Sequence, residues 1–347
     1  MKITLRLVSF TLGFTALALT GALAQSPEVP EAPIIQLFGI FDYPGTGIQT
    51  RPQKISDVGG VVGIFVDPSG VSRGFIRFRN GNFSIPIVDP NDTGNVTEGR
   101  GINNSRLVCG DYLDATSGTF HGFFFSNNTF QNYDVPDSTT TIVLGVNNVG
   151  DFCGSATPTS GIQEAFLNIG GTVTEFAVTD ATATLAYSLN ANNQSCGYYI
   201  DSSGVTTHGF WRDRDGTIYA PIDPVGSTST ILFGNTVLRH NKHRRHDLNL
   251  MVGRYTDAAG ATHGILFSPA HGFVVYDFPG ATFTSLNGIN ERGVIVGRYT
   301  DPSTGIDHGI LARVSWSGRA GVMLPLAPPS APTQASPQHA VYTAPAY

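Results

Sequence analysis

Four histidines in this chain open a His-Gly segment at one recurring place: His121-Gly122, His208-Gly209, His263-Gly264 and His308-Gly309. Imidazole exchanges its proton near neutral pH and ligates metals, so four of them suggest an acid–base set or a metal centre. Aspartates accompany them in an Asp-x-Pro motif at Asp42-Tyr43-Pro44, Asp134-Val135-Pro136 and Asp277-Phe278-Pro279, shortened to Asp89-Pro90 and Asp223-Pro224. A carboxylate beside an imidazole is material for general-base catalysis. The spacing argues otherwise. The histidines recur at one fixed place in a repeating unit, and a residue placed identically in four of six units serves the unit. The expectation is a structural hydrogen bond from each imidazole to a neighbouring backbone or Asp group, with no catalytic, cofactor-binding or metal-ligating residue among them.

Three cysteines, Cys109, Cys153 and Cys196, are an odd number for a disulfide framework. Each directly precedes a glycine, where the other units have Val62, Val252 and Val296. One side chain replaces another in an apolar slot. Equivalent positions in neighbouring units stand too far apart for disulfide geometry, so all three are expected to be buried free thiols acting as small hydrophobes.

One segment breaks the repeat: Arg239, His240, Asn241, Lys242, His243, Arg244, Arg245 and His246. Seven of these eight are basic or His, in an insertion of the kind that maps to a loop on one face of a repeat protein. It reads as a solvated loop between the second and third strands of the fifth unit; an anion-binding patch or an adventitious metal site are the sharper alternatives. Asp213-Arg214-Asp215-Gly216 has the look of a calcium loop, but Trp211 and Ile222 stand where its first and last oxygen ligands belong, so a plain turn is expected. No Gly-x-Ser-x-Gly, His-Glu-x-x-His or phosphate-binding Gly-Lys-Ser/Thr pattern occurs.

The elements that position these residues follow from a marker glycine after an apolar triplet, as in Val294-Ile295-Val296-Gly297. Its counterparts are Gly63, Gly110, Gly154, Gly197 and Gly253, spaced by 47, 44, 43, 56 and 44 residues. Each unit holds four short apolar segments parted by turn signals, a pattern of evenly spaced strands. Proline cannot donate to a ladder, so the Asp-x-Pro segment ends its strand or lies at an edge. The second segment closes with Gly-Ile-Asn or a relative (Gly101-Ile102-Asn103, Gly288-Ile289-Asn290), where Asn is expected to tolerate positive φ in a turn. The triplet does not alternate in polarity and reads as a strand covered on both faces. Asp-x-x-Gly follows at Asp67–Gly70, Asp201–Gly204 and Asp257–Gly260, a hairpin closed by a left-handed glycine.

Four strands in about 44 residues is the size of a propeller blade. The reading is an all-β chain, a β-propeller of about six four-stranded blades, with a β-solenoid of stacked repeats as the alternative. Ile35 to Tyr43 is expected to close the ring against the last blade. Residues 1–24 read as a signal peptide, with Lys2 and Arg6 before an apolar run and a small-residue cleavage site at Ala22-Leu23-Ala24. Residues 25–34 form a linker, 35–324 the repeat domain, and 325–347 a disordered Pro/Ala-rich tail.

The whole chain carries net charge −6, and −8 once Lys2 and Arg6 are removed. That disfavours nucleic acid or an anionic membrane as a partner. No transmembrane segment is expected.

His-Gly-Phe at His121–Phe123 and His208–Phe210, Gly-Ile-Asn, and Val-Gly-Arg-Tyr-x-Asp together resemble the bacterial extracellular HAF-repeat family. The likeness spans about residues 36 to 313, with Gly in place of the family's central Ala and only Ala165-Phe166 kept in the third unit. The resemblance implies export and carries over no catalytic residue. The functional expectation is a secreted, monomeric, non-enzymatic propeller without a cofactor, a binding or structural scaffold for a surface glycan or protein. The alternative is a carbohydrate-active hydrolase, which requires two carboxylates from different blades to converge at one mouth of the channel.

Overall fold

The computed structural model describes residues 32–159, 161–238 and 248–317, with the short pairs Met323–Leu324 and Tyr342–Thr343. The expected signal peptide and the basic segment 239–246 lie outside the described residues, as does nearly all of the tail. No helix among the described residues is long and apolar enough to cross a membrane.

The chain is an all-β, six-bladed propeller. Strand β1 (Ala32–Phe41) is followed by the first blade, β2 (Gln49–Ile55), β3 (Val61–Val66) and β4 (Ser72–Arg77), with Ile87 bridged to Gly74 in the place of a fourth strand. The second blade is β5 (Thr97–Ile102), β6 (Val108–Asp114), β7 (Thr119–Ser126) and β8 (Thr129–Tyr133). The third is β9 (Ser138–Val146), β10 (Phe152–Pro158), β11 (Glu164–Ile169) and β12 (Thr172–Phe176). The fourth is β13 (Ala183–Leu189), β14 (Ser195–Ile200), β15 (Thr207–Arg212) and β16 (Ile218–Ile222). The fifth is β17 (Ser227–Leu238), β18 (Leu248–Asp257), β19 (Thr262–Ser268) and β20 (Gly272–Tyr276). The last is β21 (Thr284–Ile289), β22 (Val294–Thr300) and β23 (Asp307–Ser317), and β1 pairs antiparallel with β23 as its fourth strand. Closure by the N-terminal strand therefore occurs as the sequence implies. Each blade begins at the Gly-Ile-Asn strand and ends on the Asp-x-Pro strand of the next sequence unit, so blade and sequence unit are offset by one strand.

Apolar clusters close the ring between every pair of neighbouring blades, with a second one, around Leu144, Ala183 and Leu185, between the third and fourth. Val62 and Ile76 of the first blade meet Val108 and Phe123 of the second, and so on round to Val61, Phe65 and Phe75, which meet Val296 of the sixth. A solenoid would leave the first and last units apart; here Asn287 Nδ2 donates to Pro52 O at 2.7 Å. The triplet strands are covered on both faces, with Val61, Val62, Val108, Cys109, Phe152, Cys153, Ser195, Cys196, Met251, Val252, Ile295 and Val296 all buried.

The marker glycine has a specific cause. In every blade the innermost strand carries a bulge opposite it, at Gln53, Arg100, Leu144, Tyr187, Phe233 and Asn287. A Cβ on the glycine would lie 1.8 to 2.7 Å from the carbonyl oxygen of Arg51, Glu98, Ile142, Leu185, Ile231 or Ser285. No side chain fits there.

The Asn of Gly-Ile-Asn plays a different part from the one expected. Asn103, Asn147, Asn190 and Asn290 are not in the left-handed region; that conformation falls three residues later, at Arg106, Gly150, Asn193 and Gly293. Each Asn Oδ1 instead accepts from the backbone N–H groups two and four residues on, as at Ser105 and Leu107 for Asn103. In three of the four, Nδ2 reaches the neighbouring blade: Asn103 to Asn147 O, Asn147 to Asn190 O, Asn290 to Ser56 O; Asn190 Nδ2 donates instead to Gln194 Oε1 in its own hairpin. The motif shapes a hairpin and straps two blades together.

Candidate functional site

The four histidines stand in four separate blades and make the same contacts in each. Nδ1 of His121, His208, His263 and His308 hydrogen-bonds Asp134, Asp223, Asp277 and Asp42 at 2.5 to 3.1 Å, so the Asp-x-Pro aspartates are their partners. Each imidazole also stacks on the tyrosine two residues after the marker glycine (Tyr112, Tyr199, Tyr255, Tyr299), with centroids 4.8 to 5.4 Å apart. The cluster clamps the two outer strands of a blade to its second strand, and His308–Asp42 does so across the ring closure. At His263 burial alone would lower the pKa, but bonds to Asp277 and Asp257 outweigh it and the pKa stands above the ordinary value. These groups bear no open coordination or reaction geometry. They are not brought together.

The thiols lie as expected. Cys109, Cys153 and Cys196 are free and fully buried. Burial pushes Cys109 and Cys196 up to about 12 and Cys153 well above its usual value. Their place is informative: Cys109 and Cys153 Sγ occupy the space a side chain at Gly101 or Gly145 would need, 2.6 and 3.1 Å from such a Cβ. Gly101, Gly145, Ser188, Gly234 and Gly288 occupy one register position on the innermost strands, facing Cys109, Cys153, Cys196, Val252 and Val296. Neighbouring backbones nearly touch at this level, since a Cβ on Gly288 would lie 2.8 Å from Lys54 Cα.

Lys54 is the exception at that position. It faces Val62 in the first blade, and its ammonium lies 3.5 Å from Asn287 O in the sixth blade and 5.9 Å from the Tyr187 ring centroid in the fourth. The side chain thus crosses the axis. Burial lowers its pKa to about 8.

On one side of this crossing a small mouth cavity of about 80 Å³ is lined from all six blades, among others by Lys54, Asp57, Asn147, Asn190, Asn235 and Glu291. Asp57 organises its rim. Asp57 Oδ2 accepts from Asn104 Nδ2 and Asn148 Nδ2 at 2.9 and 2.8 Å, and Oδ1 accepts from Glu291 N at 2.9 Å. These two carboxyl residues from adjacent blades meet part of the requirement for a hydrolase, but Asp57 already accepts three hydrogen bonds. A pocket that encloses a drug-sized ligand is several times larger.

On the other side the bulge residues and the residues after the marker glycines differ from blade to blade. Tyr187 packs against Tyr198 and Phe233; the Arg254 guanidinium stands 5.3 and 5.4 Å from the ring centroids of Phe233 and Phe283; Arg298 stands 4.9 Å from Phe283. Arg298 NH1 and Arg51 Nε both reach Asp307 Oδ2, at 2.8 and 2.6 Å. Across from them Arg100 bridges Glu98 and the fully buried Asp111. Burial drives the Asp111 pKa up, with Glu98 adding to it and Arg100 opposing. Five cations here face three carboxylates. Sequence reasoning missed this chamber because its residues share no motif; the signal was the variation itself at two fixed offsets from the marker glycine.

The candidate anion-binding residues Arg239, His240, Lys242, His243, Arg244, Arg245 and His246 fall outside the described residues. Their anchors are clear: Leu238 and Leu248 pair at the ends of β17 and β18. Among the described residues no three His, Cys, Asp or Glu side chains form a group suited to a metal ion. No family model matches the chain, and no curated protein is similar enough to lend it a role.

Proposed function

We propose that the chain is an exported propeller that acts as a binding or structural scaffold, with no catalysis of its own, and that it reads its ligand at the axial channel. One observation carries the reading. The side chains able to do chemistry at repeated positions are engaged in the same structural bonds in blade after blade, whereas the polar residues that differ between blades gather at the axis. Binding to a surface glycan or a protein is the class of interaction this supports. The Asp57 and Glu291 pair at the mouth keeps a hydrolase as the second reading. The test is a screen of the purified full chain on glycans, peptidoglycan and surface proteins, with turnover followed in parallel. Retention without product is expected. Product release that disappears in both Asp57→Asn and Glu291→Gln would overturn the proposal in favour of the hydrolase.

A further inference from the structure

The chamber beyond Lys54 has an imbalance that the protein does not itself resolve. Asp307 is shared by Arg51 and Arg298 and also accepts from Thr300 Oγ1 at 2.7 Å. Glu98 and Asp111 are held by Arg100. The Arg254 side chain stands against the Phe233 and Phe283 rings and forms no hydrogen bond or ion pair with a described residue; Tyr187, Tyr198 and Asp307 act on it only at longer range. Lys54 has one carbonyl oxygen at 3.5 Å, the outer limit of a hydrogen bond. The Arg254 guanidinium is only half-buried, so its donors are open to solvent or a ligand, and a planar donor fork is matched best by a carboxylate. Burial lowers the pKa of Arg254 and brings Arg298 to about 10, the sign of cations whose charge is incompletely met.

We infer that this chamber is a binding site for a small organic carboxylate, with Arg254 as its principal partner between the Phe233 and Phe283 rings. The inference rests on the binding reading above and names the ligand's chemistry. Access is one-sided: the touching inner backbones and the Lys54 side chain close the axis toward the mouth cavity, so a ligand enters from the face bearing the Asp-x-x-Gly hairpins. A blind chamber takes a small molecule or a chain end, not the middle of a polymer. Within an acidic protein, an inward-facing excess of cations also concentrates field lines on an anion.

The experiment is calorimetric titration of the full chain with sodium galacturonate, sodium acetate and galactose. Galacturonate against acetate separates an acidic sugar from a simple carboxylic acid as the source; galactose controls for the sugar ring. The expected result is saturable binding of at least one carboxylate, none of galactose, and weakening by about tenfold or more in Arg254→Gln, the loss typical of one charge-assisted hydrogen bond. Arg254→Lys should fall between the two. If Arg254→Gln fails to fold, the wild-type comparison of galacturonate with galactose still decides. Absence of carboxylate binding, equal binding of galactose, or undiminished binding by a folded Arg254→Gln would overturn the inference. A neutral glycan or a protein captured in the screen, with no carboxylate bound, would leave the scaffold reading standing and remove only this one.

Discussion

Gly197→Ala tests why the marker glycine recurs. A Cβ at this position would sit 1.8 Å from Leu185 O, with the Phe210 ring 3.0 Å away on the opposite flank. Real Cβ contacts do not fall below 3.0 Å, so β13 and β14 would have to part by more than 1 Å, and fully buried Phe210 leaves little room for the movement. The ladder pairs Ala186↔Gly197 and Leu185↔Tyr198 lie at the point of separation. Two buried backbone bonds left unmade cost about 1–3 kcal/mol each, roughly 2–6 kcal/mol together. The control is Gly204→Ala in the same blade, where φ is +72° and nothing lies within 4 Å of the new Cβ. Only the left-handed backbone penalty applies there, about 1–2 kcal/mol. At about 2–4 °C per kcal/mol for a large domain, scanning calorimetry should show Gly197→Ala melting roughly 10 °C below wild type and Gly204→Ala about 2–8 °C below. Gly154→Ala, with its Cβ 1.9 Å from Ile142 O, should repeat the larger loss in the neighbouring blade. Equal melting of the Gly197 and Gly204 variants would refute the argument that the bulge excludes a side chain.

Because the His263 pKa is raised on folding, its clamp contributes fully below pH 6.5 and loses that contribution as pH rises through the folded pKa. The melting difference between wild type and His263→Gln should therefore shrink between pH 6 and a pH well above the folded value, both read in one buffer series; a gap that widens with pH would reverse the sign. Cys109, Cys153 and Cys196 should resist a disulfide reagent at pH 8 in the native protein and all react in denaturant, with mass spectrometry counting the labels; a recovered cross-link would contradict their placement. Replacing residues 239–247 with Asn-Gly retains a two-residue turn between paired Leu238 and Leu248 and should leave the melting temperature within about 2–3 °C of wild type, as for a surface change. Loss of folding would make the basic segment part of the core. Lys54→Met should keep or raise the melting temperature, because it removes a buried charge held by a single long contact; a marked drop would show that the ammonium has a stronger partner.

The fold was legible because its causes repeat. The bulge that excludes a side chain recurs six times and so left Gly63 through Gly297 at regular spacing, and the clamp left its His and Asp in register with each other. Asn103 and its relatives were visible as turn residues, yet their reach to the next blade depends on where blades lie in space, which one unit's sequence does not encode. The boundary of a blade was hidden for a similar reason. Strand β1 is a fourth strand written 268 to 285 residues ahead of the strand it pairs with. The channel was least legible of all. Arg254, Tyr187 and Asp111 occupy equivalent or adjacent positions in different blades, and their convergence is a property of the ring alone.

The His308–Asp42 contact joins residues 266 apart in the chain. A closing strand that is made first must wait for nearly the whole protein. At about 5–20 residues per second, synthesis of the intervening length takes roughly 15–55 s. Throughout that time the incomplete arc carries an unpaired sheet edge at β23's eventual position and an uncovered apolar face on the first blade, both of which invite pairing with another chain. Every nascent molecule passes through that open state, and loss of β1 or β23 would make it permanent. Ring closure in this protein is thus also a quality check: a ribosome product that lacks β1 or β23 cannot hide its edges, and presents itself to whatever binds exposed strands.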